Sequence, residues 1–189
     1  MIDIINLKIG SYEQIIPEVY ALKEIEEHND WHNENVFDHT LMVLYKLNEL
    51  TPCWPELHNI VNKNKRLDLL VLATTLHDIG KIKCIEGHEE ISAEMAQSIL
   101  PYFSLSENEH NIVTDLIKYH GEINKIFKKD TWKKNYDNLI KIVPKLEITL
   151  LGLADLNASR LPLTNSNKYN LIIDRYKEIL GNKLYGILA

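Results

Sequence analysis

Apolar residues recur along this chain at helical spacing, and short polar stretches divide them into successive segments. Ile15, Ile16, Val19, Leu22 and Ile25 form one stripe, which predicts a helix over residues 12–28. Pro17 falls in its first turns, where a missing N–H is tolerated. After a polar loop, HNDWHNEN, the run from Val36 to Leu50 predicts a second helix ending before Pro52, and residues 55–63 suggest a short one. From Leu67 to Leu76 the only charge is Asp68, set among Leu67, Leu69, Leu70, Val71, Leu72, Ala73 and Leu76. Such a segment reads as a helix over 65–79 that is buried nearly all round, with Gly80 suited to cap its C-terminus.

Residues 89–100 predict an amphipathic helix through Ile91, Met95, Ile99 and Leu100, closed by Pro101. Ser106 and Glu109 have the spacing of a capping box for a helix ending at His120-Gly121. Residues 122–134 are polar and read as irregular or weakly helical. Pro144 opens another strongly apolar helix over 144–158. Asn167 is placed to cap a final helix over 167–185, with Leu171, Ile172, Tyr176, Ile179 and Leu180 on one face. Ile2 to Ile9 is the one strand candidate, and its pattern suits a helical or an extended arm equally. The expected architecture is all-α, one helical bundle spanning residues 1–189.

Composition narrows the picture. A chain of 189 residues is long enough to bury about 70% of its unfolded surface in one domain. Hydrophobic content of 45% and charged content of 25% are those of a soluble globular protein. A net charge of −6 argues against broad electrostatic capture of nucleic acid, duplex DNA included. The local exception is KIFKKDTWKK, where Lys125, Lys128, Lys129, Lys133 and Lys134 surround Phe127 and Trp132. Such a patch can hold a polynucleotide strand, but a solvated loop or helix face is the reading favoured here. Cys53 and Cys84 are far apart and outside any CxxC arrangement, as for reduced thiols in the cytosol. No apolar stretch is long enough to span a bilayer and the N-terminus is unlike a signal peptide, so a cytoplasmic protein without a membrane partner is expected.

The pair His77-Asp78, in LATTLHDIGK, changes the picture most. An imidazole and a carboxylate stand together at the end of an apolar run, where burying both is costly unless something pairs with them. A divalent cation satisfies both, because His supplies a neutral nitrogen and Asp an anionic oxygen. Alone, the dipeptide favours a blander account, a satisfied core histidine beside a helix-terminal aspartate. Further candidates lie at His39, His88, His120 and Asp155, each at or near the end of a predicted helix. Adjacent helical positions point about 100° apart. A metal reached by both His77 and Asp78 therefore has to lie where their helix packs against its neighbours.

The order His39, His77-Asp78, His88, His120, Asp155 resembles the HD-domain metal-dependent phosphohydrolase superfamily, over roughly residues 30–160. VFDHTLMVL, LHDIGK, GHEEISAEMAQSIL, LIKYH and LADLNASR each look like the corresponding family segment, in order. The segment WHNENVFDHT is similar to the HD domain of bacterial tRNA nucleotidyltransferases. Their catalytic Gly-Ser motif with paired carboxylates has no counterpart before residue 30, so the similarity is to the HD module alone. The resemblance implies a primary metal site of His39, His77, Asp78 and Asp155. It implies a second ion on His88 and His120, with Asp78 as the bridge. Other members of the family manage with one ion. Without a metal, His88 reads as a loop histidine and His120 as a cation stabilising a helix C-terminus.

The reaction so implied is hydrolysis of a phosphate ester, with metal-bound hydroxide supplied at neutral pH. The cofactor is one or two divalent ions among Mn, Fe, Co, Ni, Zn and Mg. Asp78 is the expected catalytic ligand. Lys81 and Arg160 are placed to meet phosphoryl oxygens, unless both are surface charges. His32 and Glu34 match a family element that orients substrate, or they stabilise their own loop. The expected substrate is a small phosphate ester or nucleotide, or an RNA end, with 2′,3′-cyclic phosphodiesterase, 2′-nucleotidase or phosphatase activity. The rivals are a non-hydrolytic binding module and a di-iron oxygenase on the same scaffold.

Overall fold

Two helices have almost no polar face, and the others assemble around them. The computed structural model describes residues 2–58 and 65–181, and among these it is all-α. Ten helices follow in order: α1 (Ile4–Lys8), α2 (Pro17–Ala21), α3 (Val36–Leu50), α4 (Arg66–Leu76), α5 (His88–Ile99), α6 (Glu107–Ile126), α7 (Trp132–Leu139), α8 (Lys145–Ala158), α9 (Leu161–Thr164) and α10 (Ser166–Leu180). The two apolar ones are α4 and α8. In α4, Leu69, Leu70, Leu72, Ala73 and Leu76 are buried. Buried Thr74 and Thr75 satisfy their hydroxyls on the carbonyls of Leu70 and Val71, at 2.7 and 2.8 Å. In α8, burial extends over all faces from Ile148 to Ala154. Its buried Glu147 is paired with Arg66 at the start of α4. Helix α3 packs on α8 and α4, α6 packs on α4 and α8, and α5 lies along α6. Helices α4 and α8 thereby lie between α3 and α6.

Several elements differ from the sequence expectation, each for a local reason. Residues 12–28 are not one helix: α2 begins at Pro17, and a 3-10 turn over Leu22–Glu24 follows it. Ile16, preceding the proline, is forced from the helical region to φ −132° and ψ 59°. Downstream, Ile25 is extended and its carbonyl accepts from the Val36 N–H. The strand candidate Ile2 to Ile9 is instead the short helix α1, capped by Asp3. Of the segment 55–63, Pro55–Leu57 form a 3-10 turn, and residues 59–63 lie outside the described residues. Helix α6 does not stop at His120-Gly121 but continues to Ile126, burying Ile123, Asn124 and Ile126. Residues 122–126 are therefore helical, and α7 opens at Trp132. Asn165, not Asn167, caps α10, its side chain accepting from the Lys168 N–H. Residues 182–185 of that predicted helix lie outside the described residues.

Gly80 is not a left-handed cap. It lies in a 3-10 turn, Ile79–Ile82, that follows α4. A Cβ there would stand 2.4 Å from the His88 carbonyl oxygen and 2.6 Å from the Ser92 nitrogen. Glycine is needed for close approach of this turn to α5. Its own N–H donates to Ser92 Oγ at 2.9 Å, which ties the His77-Asp78 corner to the helix that begins with His88.

Candidate metal centre

The α4 helix ends at Leu76, and Asp78, with φ −111° and ψ 4°, has left the helical path. This break turns neighbouring side chains toward one point, with His77 Nε2 and Asp78 Oδ2 3.3 Å apart. His39 from α3, His88 at the first position of α5 and His120 from α6 gather around Asp78, and Asp155 from α8 joins them through His39. All six candidate ligands of the sequence are thus brought together. The two oxygens of Asp78 face different partners. Oδ2 looks to His77 and, at 4.0 Å, to His39 Nε2. Oδ1 lies 2.9 Å from His88 Nε2 and 3.6 Å from His120 Nε2. His39 Nε2 is 3.0 Å from Asp155 Oδ1. Two groups able to hold an ion result, His39–His77–Asp78 and Asp78–His88–His120, sharing Asp78. His32, Glu34 and His39 form a third such group beside them.

Tautomers follow from the outer contacts of the rings. The Nδ1 atoms of His77, His88 and His120 lie 2.6, 2.8 and 2.7 Å from the carbonyl oxygens of Thr74, Ile85 and Ile117. A carbonyl only accepts, so each Nδ1 carries a proton, and Nε2 is the ring atom turned inward and free to ligate in the neutral form. His88 Nε2 and His120 Nε2 face each other at 3.3 Å. His77 Nε2 and both Asp78 oxygens are buried without a hydrogen-bond partner. Lys81 Nζ and His88 Nε2 do approach those oxygens to 2.9 Å, but without hydrogen-bond alignment. Inward lone pairs and an unsatisfied carboxylate make a buried, acceptor-rich cluster, costly by itself and matched to divalent cations. The donor set fits the metal that the sequence implies.

Titration behaviour agrees. Burial, followed by the neighbouring His120 and His39, pushes His77 down to about 3, so its ring is neutral and suited to ligate. Burial works against ionised Asp78, but His77 and Lys81 hold its pKa well below the carboxylate range. Burial also opposes charge on His39, yet the hydrogen bond to Asp155 and the nearby Glu34 carboxylate hold it up at about 9. An ion on His39 therefore has to displace a proton, and its binding weakens as pH falls.

The other candidate residues are placed as follows. Lys81 is buried, with Nζ 2.6 Å from Glu27 Oε2 and 2.9 Å from Asp78 Oδ2. Glu27, itself buried, carries no signal in the sequence, where it falls at the end of the predicted helix 12–28 as one of several carboxylates. His32 Nδ1 is 3.0 Å from Glu34 Oε1, and Glu34 Oε2 accepts from the Asn33 N–H at 2.8 Å. Burial would raise the Glu34 pKa, but contacts with His39, Asn33 and His32 bring it down to about 2. Arg160 does not line the cavity at the cluster; its backbone N–H donates to the Trp31 carbonyl at 2.7 Å. The cavity holds about 250 Å³ and is walled by Asp78, His88, His120 and Asp155 with Trp31, His32, Lys81, Asn124 and Lys128. Lys128 belongs to the basic run read as a solvated face. His120 and Asn124 share a face of α6, and Lys128, in the turn just after the helix, follows at the same spacing of four, an arrangement visible only once α6 continues past Gly121.

Residues 36–155, more than half of the chain, match the HD domain family, and the chain belongs to that family. Membership of that family implies the metal-dependent phosphohydrolase superfamily, and the all-α fold agrees with it. Among curated proteins it is similar to bifunctional uridylyltransferase/uridylyl-removing enzymes. The Ruegeria pomeroyi protein is 27% identical over 118 residues, 60% of this chain and 13% of that protein. The Novosphingobium aromaticivorans protein is 26% identical over 193 aligned positions, 94% of this chain and 21% of that protein. The Erythrobacter litoralis protein is 25% identical over 178, covering 88% and 19%. The chain thus spans about a fifth or less of the length of the relatives it matches. They are not tRNA nucleotidyltransferases, so the similarity is to HD domains more widely than WHNENVFDHT suggests. No helix among the described residues is long and apolar enough to cross a membrane.

Proposed function

We propose that this chain is one HD unit that hydrolyses a nucleotide phosphate ester on a pair of divalent ions bridged by Asp78. The observation that carries this reading is the division of Asp78, Oδ2 toward His39 and His77 and Oδ1 toward His88 and His120. Two metal ions in such sites lie about 3.5–4 Å apart, a span that one bridging carboxylate covers. His39, His77, Asp78 and Asp155 would hold the first ion, and Asp78, His88 and His120 the second. Bound ions of this kind lower the pKa of water and neutralise charge on phosphoryl oxygens.

The remaining side chains orient and balance charge. Lys81 donates a hydrogen bond to Glu27, balances the charge of Asp78, and has ammonium protons left for a phosphoryl oxygen. Glu34 fixes the His32 ring at the cavity wall, where it positions the leaving group. A nucleotide is supported by the indole of Trp31 in the same wall and by relatives named for removing uridylyl groups. Nucleoside 2′,3′-cyclic phosphates and 2′-monophosphates head the candidate substrates, with uridylyl esters beside them.

The test is metal analysis of protein prepared without chelator or nickel affinity, followed by phosphate-ester screening with Mn²⁺, Co²⁺, Ni²⁺, Mg²⁺ and iron in turn. Nucleotide esters are expected to be hydrolysed faster than sugar phosphates. Asp78→Ala should abolish both metal retention and hydrolysis while helix content stays intact, because the fold rests on the apolar faces of α4 and α8. An Asp78→Ala protein with full metal content and full activity would end this assignment.

A further inference from the structure

Beside the metal cluster the cavity wall carries positive charge that the protein itself does not neutralise. Trp31 is held in place by its loop: its N–H donates to Asn29 Oδ1 at 2.7 Å and its carbonyl accepts from Arg160. Thr164 Oγ1 donates to the Asp30 carbonyl at 2.6 Å. Against this fixed indole lie two ammonium groups, Lys128 Nζ at 4.5 Å from the ring centre and Lys168 Nζ at 5.2 Å. They come from different elements, the turn after α6 and the first turn of α10. Neither makes an ion pair among the described residues. Glu89, a carboxylate of the same cavity wall, is taken by Lys125 at 2.6 Å.

Gathering cations in this way is unfavourable. Burial first, then Lys168 and Lys125, push Lys128 down to about 8. In a chain of net charge −6, two lysines that share one aromatic ring without a carboxylate lack a partner, and an anion from outside would supply it. The adjoining cavity, of about 510 Å³, shares Trp31, His32, Lys81 and His88 but carries Glu27, Asn29 and Asp30. An anionic group is favoured on the lysine side and disfavoured on the other.

We infer that Trp31, Lys128 and Lys168 form a subsite for a second phosphate of the substrate, separate from the phosphate at the metal cluster. This rests on the nucleotide phosphohydrolase reading above. The substrate class becomes a nucleotide phosphorylated at two positions, with one phosphate at Asp78 and the other against Lys128 and Lys168. The small cavity suits a single nucleotide unit.

The experiment compares matched pairs on Mn²⁺-loaded protein. Rates are measured for a nucleoside 2′,3′-cyclic phosphate with and without a 5′-phosphate. Calorimetry measures binding of a nucleoside 3′,5′-bisphosphate against the 3′-monophosphate. Wild type should prefer the doubly phosphorylated member by about tenfold or more in kcat/KM and in Kd. Lys128→Gln and Lys168→Gln should each bring that ratio toward one, mainly through KM, and Lys128→Arg should largely retain it. Lys168 lies on an outer helix, so its variant serves even if Lys128→Gln is poorly folded. Equal binding of both members by wild type, or a ratio unmoved by either glutamine variant, would overturn the subsite. Preferential bisphosphate binding without hydrolysis of any ester would overturn the hydrolase reading and leave the subsite standing.

Discussion

Three imidazoles, those of His77, His88 and His120, each donate an Nδ1–H hydrogen bond to a carbonyl three residues earlier in the chain. That repeated contact selects the tautomer and holds the ring, so the site is organised before any ion arrives. His88 and His120 distinguish one ion from two. Either residue replaced by Ala should lower metal stoichiometry from about two to about one and sharply reduce activity. His39→Ala should disturb the other ion. Metal analysis by mass spectrometry decides the matter, and unchanged stoichiometry with near-normal activity in both variants would remove the second ion. These residue types and their order were legible in the sequence. Glu27 was not. Its importance comes only from Lys81, a buried cation that would be costly without the carboxylates of Glu27 and Asp78.

At the scale of elements, local signals succeeded where local chemistry decides. Asn35 accepts from the Asp38 N–H and starts α3 where the apolar period begins, and Ser106 with Glu109 forms the expected capping box. They failed where packing overrides a local preference. Glycine after His120 suggested a helix end, but burial of Ile123 and Ile126 outweighs the cost of about 1 kcal/mol for an interior glycine. The crossing of α6 and α8 depends on Gly152, where a Cβ would stand 2.2 Å from Ile123 Cγ2 and 2.6 Å from Tyr176 Oη. At the same crossing, Asn124 donates to the Gly152 carbonyl at 3.0 Å and accepts from Tyr176 at 2.8 Å. Gly152→Ala should therefore cost about 1–3 kcal/mol through overpacking. Because Asp155 lies one turn further along α8, metal affinity should fall with it. Denaturant titration and metal binding check both effects, and Ile123→Ala in the same chain should recover part of the loss. A Gly152→Ala protein of wild-type stability would show that the crossing has room to spare.

For the whole molecule, the metal cluster joins α3, α4, α5, α6 and α8, so ions bound there link most of the described core. Ligand concentrations 100-fold above Kd add about 2.7 kcal/mol of stability. For a chain of this size that corresponds to a melting shift of about 5–10 °C. Chelation should lower the melting temperature by that order, and Mn²⁺ or another accepted ion should restore it. A transition indifferent to chelator in protein shown to hold metal would mean that the ions contribute nothing to the stability of the core. The buried, acceptor-rich character of the cluster argues for the opposite result.

The sequence by itself determined that the chain is helical, that α4 is buried on nearly all faces and α8 strongly apolar, and which six residues are candidates to ligate metal. Periodicity and caps act within a few residues, and the His-Asp order is a property of the chain. Only the tertiary structure decided how those groups meet. His39 and Asp155 touch across 116 positions, and Lys81 and Glu27 across 54. Lys128 left a seemingly solvated basic run for the cavity because α6 outlasts Gly121, while Arg160 secures the Trp31 loop through its backbone. Such meetings depend on helix lengths, crossings and the break after Leu76, none of which hydrophobic spacing specifies.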